Sequence, residues 1–142
     1  SPSTINEDAL DARIAAQGYV TLNKSADQIW ADHVVGNQER YLPAYETERA
    51  TFLRAVYAKR QFQEVITEYW RDHFNIFGWD YWTAPAFVHF DRDVIRQNMF
   101  GNFRVMVEAV AKSPAMLPVF PLVAVTLASI ILEWIMMRLR NT

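Results

Sequence analysis

The sequence LPVFPLVAVTLASIILEWIMM, residues 117–137, determines how the rest of the chain is organised. Its only ionisable side chain is Glu133. At about 1.5 Å of rise per residue, a helix of this length crosses the ~30 Å hydrocarbon core of a bilayer. Trp134 lies near the end of the run and arginines follow it, a pattern typical of an interfacial anchor and a polar stop. The pattern predicts one C-terminal transmembrane helix over residues 117–137, with a short tail at 138–142.

A buried helix of a soluble core is the alternative interpretation of residues 117–137. Core helices seldom run this far without a polar face, so the membrane interpretation is preferred. Residues 1–116 then form one helical extramembrane domain. No internal repeat or linker is visible before the run, so the domain is expected to lie directly on the membrane.

Composition excludes several classes of function. The chain has 14 basic and 16 acidic residues and a formal net charge of -2, which gives no electrostatic basis for binding nucleic acid. Cysteine is absent, so disulfides, thiolate metal sites and a cysteine nucleophile are excluded. The sequence has no glycine-rich phosphate loop, and its serines support no hydrolase triad. A non-catalytic protein is therefore expected.

Helix signals recur along residues 1–116 and predict an all-α fold, a small bundle of short helices. Thr4 and Glu7 have the spacing of a capping box, in which each side chain satisfies a backbone donor of the other residue. Ser25 and Gln28 repeat that spacing at the start of a second helix. The predicted helices cover residues 6–16, 26–35, 46–58, 60–74, 92–99 and 103–112.

Other signals mark the boundaries between these helices. Pro43 predicts a turn before the third helix, and Asp91 and Asn102 are predicted N-caps of the last two. Residues 75–90 show no helical order and are expected to be irregular.

The fourth predicted helix has the strongest amphipathic pattern. Its apolar residues recur at helical spacing, which predicts a wide stripe facing the core. A solvated outer face is expected to carry Arg60, Gln63, Glu64, Glu68 and Arg71. The stripe consists of Phe62, Val65, Ile66, Tyr69, Trp70, His73 and Phe74.

Aromatic side chains are concentrated in the irregular segment 75–90. Trp79, Tyr81 and Trp82 are candidates for a contact surface, because Trp and Tyr dominate the energetic centres of protein interfaces. Two alternatives stay open: the rings cap a small core, or they rest among lipid headgroups beside the span.

Metal chemistry has one weak candidate in the sequence. Imidazoles with carboxylates form a common ligand set, but His73, His89, Asp91 and Asp93 have no recognised metal-site spacing. His73 lies on the predicted core stripe, where a histidine hydrogen-bonded into the core is the usual finding. No catalytic, cofactor-binding or metal-ligating residue is therefore predicted, and no cofactor.

Several segments resemble a large bacterial family catalogued as domain of unknown function eighteen hundred, whose members are mostly exported with a twin-arginine signal. Family members continue past the AML of the last segment into a longer helical body, whereas an apolar run follows it here. The resemblance implies an all-helical fold and export, and it carries over no catalytic residue. The segments are INEDALDARIAA (5–16), TLNKSADQIW (21–30), FLRAVYAKRQFQEVITEYWRDHFNIF (52–77), DRDVIR (91–96) and GNFRVMVEAVAKSPAML (101–117).

Together these patterns suggest a non-catalytic accessory subunit of a larger membrane complex, of photosynthetic or respiratory electron transfer. Ala124 and Ala128 lie four residues apart in the predicted span, where small side chains let another helix approach closely. The expected location is the bacterial inner membrane, with a periplasmic N-terminal domain and a cytoplasmic C-terminus. The alternatives are a membrane-tethered enzyme or metal-binding module of the exported family, and a free-standing anchored binding protein.

Overall fold

The computed structural model describes residues 8–116 and, beyond them, Ser129, Ile131, Met137 and Arg138, each of which is helical. The described part contains helices and turns but no strand, so the predicted all-α class is confirmed. The helices are α1 (Asp8–Ala15), α2 (Ala26–Trp30, extended by a π-helical turn, Ala31–Val35), α3 (Leu42–Tyr57), α4 (Gln61–Phe74), α5 (Phe87–His89, the π-helical Phe90–Ile95 and Arg96–Asn98) and α6 (Phe103–Lys112), with 3₁₀ turns at Ala84–Ala86 and Pro114–Met116.

Local signals placed several helix ends correctly. The Ser25 side chain accepts a hydrogen bond from the Gln28 backbone, and the Gln28 side chain accepts one from the Ser25 backbone, so this capping box is confirmed. Asn102 caps α6 by accepting from the Arg104 N–H. The first predicted capping box, at residues 4–7, lies outside the described residues.

Two predicted boundaries were wrong. The helix α3 begins at Leu42, and Pro43 lies in its first turn instead of a preceding turn. Proline is tolerated there because the first N–H groups of a helix have no intrahelical partner. The helix α5 begins at Phe87, within the segment expected to be irregular, so Asp91 is an interior residue of α5 and not its N-cap.

The core is arranged around α5, which packs against α3, α4 and α6. Phe90 and Ile95 of α5 have no exposed surface, and Met106 of α6 is almost fully buried. The 3₁₀ turn Pro114–Met116 packs on the same core through Ala115. Packing on α5 thus extends to the last residue of the continuous described segment.

The helix α4 is partly rotated relative to its predicted orientation: Ile66, Trp70 and Phe74 of the predicted stripe pack against the core, but the other side of the stripe does not. Phe62, Val65 and Tyr69, which were predicted to face the core, are exposed, with Phe62 69 % exposed. Thr67 faces the core instead: its hydroxyl donates to the Gln63 carbonyl at 2.8 Å. The exposed side chains Phe62, Val65 and Tyr69 are called the α4 face below.

A buried ionic network explains this rotation. The Asp91 carboxylate is buried and accepts hydrogen bonds from Arg71 Nη1 at 3.1 Å and from Arg96 Nε at 2.8 Å. Arg96 also donates to both carboxylate oxygens of Glu64, at 3.0 and 2.8 Å. Glu64 and Arg71 were predicted on the solvated face of α4, and the network brings both toward α5.

Electrostatics within the network favour the ionised forms. Burial alone would raise the pKa of Asp91, but the charges and hydrogen bonds of Arg96 and Arg71 outweigh it and hold that pKa below its usual value. Burial would likewise lower the pKa of Arg96, yet Glu64 and Asp91 raise it. The network is therefore charged at neutral pH.

Replacing Asp91 by Asn should lower the free energy of unfolding by about 3–5 kcal/mol, because buried guanidinium groups lose their counter-charge. Because the folded-state pKa of Asp91 is depressed, its contribution is complete above the ordinary value of about 4 and is lost as pH falls through the folded-state pKa. Urea denaturation over an acidic pH series should therefore show a shallower pH dependence for Asp91→Asn.

The matched control is Glu108→Gln, which removes an exposed carboxylate paired with Lys112 on α6. Exposed ion pairs contribute little, so this variant should unfold like the wild type. Equal urea midpoints for Asp91→Asn and Glu108→Gln would contradict the central role of Asp91.

Gly78 is buried because the loop after α4 packs directly on Phe87 of α5. A methyl group added at Gly78 would lie 2.8 Å from the Phe87 ring, which is only 4 % exposed and has little room to move. Gly78→Ala should therefore cost about 1–3 kcal/mol of stability by overpacking.

A double-mutant cycle with Phe87→Leu checks this cause, because the smaller side chain should relieve part of the Gly78→Ala cost. Gly18→Ala is the comparison: its added methyl group meets nothing within 4 Å, and its φ of +68° gives a cost from backbone strain alone. Strict additivity of Gly78→Ala and Phe87→Leu would mean that the clash with the ring is not the cause.

Among the described residues, none of the helices combines the length and hydropathy of a membrane span. Most of the predicted transmembrane helix at residues 117–137, together with Ala124 and Ala128, lies outside the described residues, as does the tail at 139–142.

Candidate functional site

A tight turn in the loop between α4 and the 3₁₀ turn Ala84–Ala86 orients the predicted contact residues. The Asp80 carboxylate accepts hydrogen bonds from the backbone N–H groups of Trp82 at 2.9 Å and Thr83 at 3.4 Å. Such local bonds from an aspartate are typical of turns. Because Gly78 is fixed on the core on one side and Asp80 fixes the turn on the other, the aromatic side chains between and after them have a defined direction.

Trp79 is held against the start of α3. Its indole Nε1 donates to Glu48 Oε1 at 2.5 Å, and its ring stacks on Tyr41 with centroids 6.3 Å apart and planes inclined by 27°. Trp79 is 37 % exposed. The ring is thus oriented by a hydrogen bond and by stacking while much of its surface stays open.

Tyr81 and Trp82 form the second half of the arrangement. Their rings meet edge to face, with centroids 5.1 Å apart and an interplanar angle of 89°. The Arg40 guanidinium lies 4.0 Å from the centroid of Tyr81 and 5.9 Å from that of Trp82, within the range of cation–π attraction. About half of the Tyr81 and Trp82 surface is exposed, at 49 % and 56 %.

We call these residues together the aromatic surface: Arg40, Tyr41, Trp79, Tyr81 and Trp82. The structure brings together the three aromatic candidates that the sequence predicted. Arg40, Tyr41 and the hydrogen-bonding partner Glu48 were not predicted from the sequence. Tyr41 and Glu48 lie about two helical turns apart along one face, a signal that becomes visible only once the true start of α3 is known.

The weak metal candidates do not assemble around one point. Asp91 is bound by arginines in the buried network, and Asp93 pairs with Arg92 and with His89, whose Nδ1 lies 2.9 Å from Asp93 Oδ2. The hydrogen bond from Arg92 is the main reason why the pKa of Asp93 is lowered. In residues 8–116 and the isolated residues described beyond them, no group of three metal-ligating side chains is found.

His73 does not have the buried structural role that the sequence predicted. It is exposed on α4, where it stacks on Tyr69 with centroids 6.0 Å apart and meets Trp70 edge to face. The prediction was wrong because only part of the predicted stripe packs against the core, and the side of α4 that carries Tyr69 and His73 faces outward.

The aromatic surface offers groups suited to contacts with another molecule. It presents broad rings, one guanidinium and a carboxylate already engaged by an indole, and it contains no nucleophile beside a general base. Rings fixed in this way present apolar area with polar groups at its edge, as at protein interfaces.

Comparison with known proteins identifies the family. The model of a family described as "Protein of unknown function (DUF1800)" matches residues 3–118, which include the aromatic surface and the ionic network. Neither a curated protein nor a solved structure matches the chain. The match covers most of the chain and confirms the resemblance seen in the sequence. The chain belongs to the DUF1800 family of proteins of unknown function.

Proposed function

We propose that this chain is a non-catalytic, single-pass accessory subunit that docks onto a larger membrane complex through the aromatic surface. The observation that carries the proposal is the state of those rings: they are exposed, yet stacking, a cation–π contact and an indole hydrogen bond hold them in place. A partner that covers them would gain apolar contact without having to order them first.

Residue type also supports docking at this surface. Trp, Tyr and Arg are the residues most enriched among those that dominate binding energy. Because the rings are already fixed, the entropy cost of binding is lower than for mobile side chains. Trp82, with 56 % of its surface exposed, is the most accessible of the predicted contact residues.

The α4 face is the competing surface, since it is also apolar and exposed. It offers Phe62, Val65 and Tyr69, and Phe62 stacks on Phe100 at 5.9 Å. Among the residues that the structure describes, no guanidinium lies over its rings as Arg40 lies over Tyr81, so the α4 face provides less orientation for a partner. We therefore assign docking to the aromatic surface and use the α4 face as the control.

Packing at the end of the domain supports a short tether. Ala115 is fully buried and Met116 packs on the core, and the predicted span begins at the next residue. A domain joined without slack to a membrane helix moves only close to that helix. Contacts by the aromatic surface and by the span then act within one molecule, which strengthens weak contacts through effective concentration.

The proposed location is the bacterial inner membrane, with the domain in the periplasm and the C-terminus in the cytoplasm. Ile131 and Met137 are helical and more than half exposed, as apolar residues facing lipid would be. In its most specific form, the proposal assigns the complex to photosynthetic or respiratory electron transfer, where small single-pass subunits are common.

Membrane insertion is tested by extraction with alkaline carbonate. The full chain should stay in the membrane pellet, because residues 117–137 are long and apolar enough to span the bilayer. A chain ending at Met116 should be released, since it keeps the packed 3₁₀ turn but lacks the span. Release of the full chain by carbonate would refute the span.

Docking is tested by affinity purification from membranes solubilised in mild detergent. Replacing Trp79 and Trp82 by Ala should weaken recovery of the partner, because truncating such anchors typically costs ~2 kcal/mol or more of binding energy. The matched control replaces Phe62 and Phe100 by Ala, which removes another exposed ring pair and should leave recovery unchanged. Circular dichroism checks that both variants remain folded.

The contribution of the span is measured with Ala128→Leu. A larger side chain should hold a partner helix away from the small residues Ala124 and Ala128 and weaken association separately from the Trp variants. Recovery of the wild type as a lone monomer would contradict the accessory-subunit proposal and favour a tethered module instead. Loss of the partner in the Phe62 and Phe100 variant alone would place docking on the α4 face.

A further inference from the structure

A cavity of about 300 Å³ lies between α1, the segment that follows it, and the side chains of two arginines. Arg54 of α3 and Arg92 of α5 contribute the positive charge. The remaining walls combine apolar side chains with the amide of Asn23 and one exposed carboxylate, that of Asp11. They consist of Asp11, Ile14, Ala15, Tyr19, Leu22 and Asn23.

The two arginines differ in how their charge is compensated. Arg92 donates through Nε and Nη2 to the Asp93 carboxylate at 2.7 and 2.6 Å, and its Nη1 donates to the carbonyls of Leu22 and Lys24. Arg54, by contrast, has no carboxylate within salt-bridge distance in the part of the chain that the structure describes. Among the described residues, Arg54 is thus the arginine of the cavity without a directly paired carboxylate.

Nearby carboxylates are already used by other groups. Asp91 and Glu64 attract Arg54 from a distance, but their oxygens accept from Arg71 and Arg96. Burial lowers the pKa of Arg54, as does the charge of Arg96. A half-buried guanidinium that lines a cavity without a counter-ion is costly, and a bound anion would remove that cost.

We propose that this cavity binds a small organic monocarboxylate, with its carboxylate on Arg54 and its apolar part against Ile14 and Leu22. A guanidinium and a carboxylate match in geometry and can form two parallel hydrogen bonds. The volume lies at the lower end of small-molecule sites, so the ligand is small. The site is separate from the aromatic surface and does not depend on the proposed docking function.

Asp11 decides which anions are accepted. Its carboxylate is exposed on the α1 wall and also attracts Arg54 from a distance. A second negative charge on the ligand would be repelled by Asp11, so a dianion such as phosphate should bind more weakly than a monocarboxylate. A neutral ligand would leave Arg54 without a carboxylate in direct hydrogen-bonding contact.

Calorimetric titration of the full chain in detergent tests the assignment. The probe is 4-methylpentanoate, and the comparison compounds are its neutral amide, 4-methylpentanamide, and inorganic phosphate. The wild type should bind the carboxylate measurably more tightly than either. Arg54→Gln should weaken binding about tenfold or more, the loss expected for a charge-assisted pair.

Arg49→Gln is the matched control, because Arg49 lies on the same helix but is exposed over the Tyr45 ring at 4.5 Å. It should bind 4-methylpentanoate like the wild type. Without ligand, Arg54→Gln should melt at or above the wild-type temperature, because it removes an uncompensated charge and not a structural ion pair. Ile14→Phe, which fills the cavity without changing charge, should also abolish binding.

Several outcomes would overturn the assignment. They are the absence of binding by the wild type, equal affinity for the amide, equal or tighter binding of phosphate, and undiminished binding by Arg54→Gln. If Arg54→Gln does not fold, Arg54 has a structural role and Ile14→Phe becomes the deciding variant. Undiminished binding of 4-methylpentanoate by Ile14→Phe would then exclude the cavity as the site.

Discussion

Asp91 lies in the middle of α5 with its carboxylate buried, and three helices meet through it. Arg71 connects it to α4 and also donates to the Thr51 hydroxyl of α3 at 3.1 Å. Arg96 connects it to Glu64. A buried carboxylate is tolerated only when its charge and its hydrogen-bonding capacity are both satisfied, so only one rotation of α4 against α5 is acceptable. The apolar side chains of α4 then take whatever positions that rotation leaves them.

This requirement explains where the amphipathic pattern failed. Periodicity assumes that charges face solvent, and Glu64 and Arg71 were placed outside on that basis. Because both side chains belong to the Asp91 network, Phe62, Val65 and Tyr69 are turned outward. The information that decides the rotation lies in a pairing between residues distant in sequence, which periodicity within one helix does not contain.

Helix caps were predicted more accurately than the orientation of α4, because a cap depends only on residues close together in the sequence. The capping box at Ser25 and the cap at Asn102 depend on hydrogen bonds within a few residues, and both were predicted. The recurring helix signals predicted the all-helical class, and the family resemblance implied the same class. The start of α5 was not predicted because the preceding segment is rich in aromatic residues and contains Pro85, a composition typical of a loop. Packing against the core nevertheless makes residues 84–90 of that segment helical.

The aromatic segment 75–90 shows why composition alone does not distinguish rings that cap the core from rings that form a contact surface. Phe87 is buried in the core, as the capping interpretation expects, while Trp79, Tyr81 and Trp82 are exposed, as a contact surface requires. Tryptophan and tyrosine have polar groups that need partners, and Trp79 finds one in Glu48 at the surface. Phe77, which has no polar group, is also exposed, so side-chain polarity explains only in part which aromatic residues are buried and which are exposed.

The attachment of α1 has a consequence for access to the cavity. Among residues 9–15, only Leu10 is buried, and the strongest link nearby is Glu46, whose carboxylate accepts from the backbone N–H groups of Val20 at 3.0 Å and Thr21 at 2.7 Å. That link fixes the segment after α1 to α3, while α1 itself contacts α3 with one buried side chain, Leu10, and with the Arg13 guanidinium 4.3 Å from the Tyr57 ring centroid. Elements with so few buried contacts open by local unfolding at low cost, while the rest of the fold stays intact. Since α1 carries one wall of the cavity, we expect local unfolding of α1 to widen access to the cavity, and amide hydrogen exchange in α1 would measure how often this opening occurs.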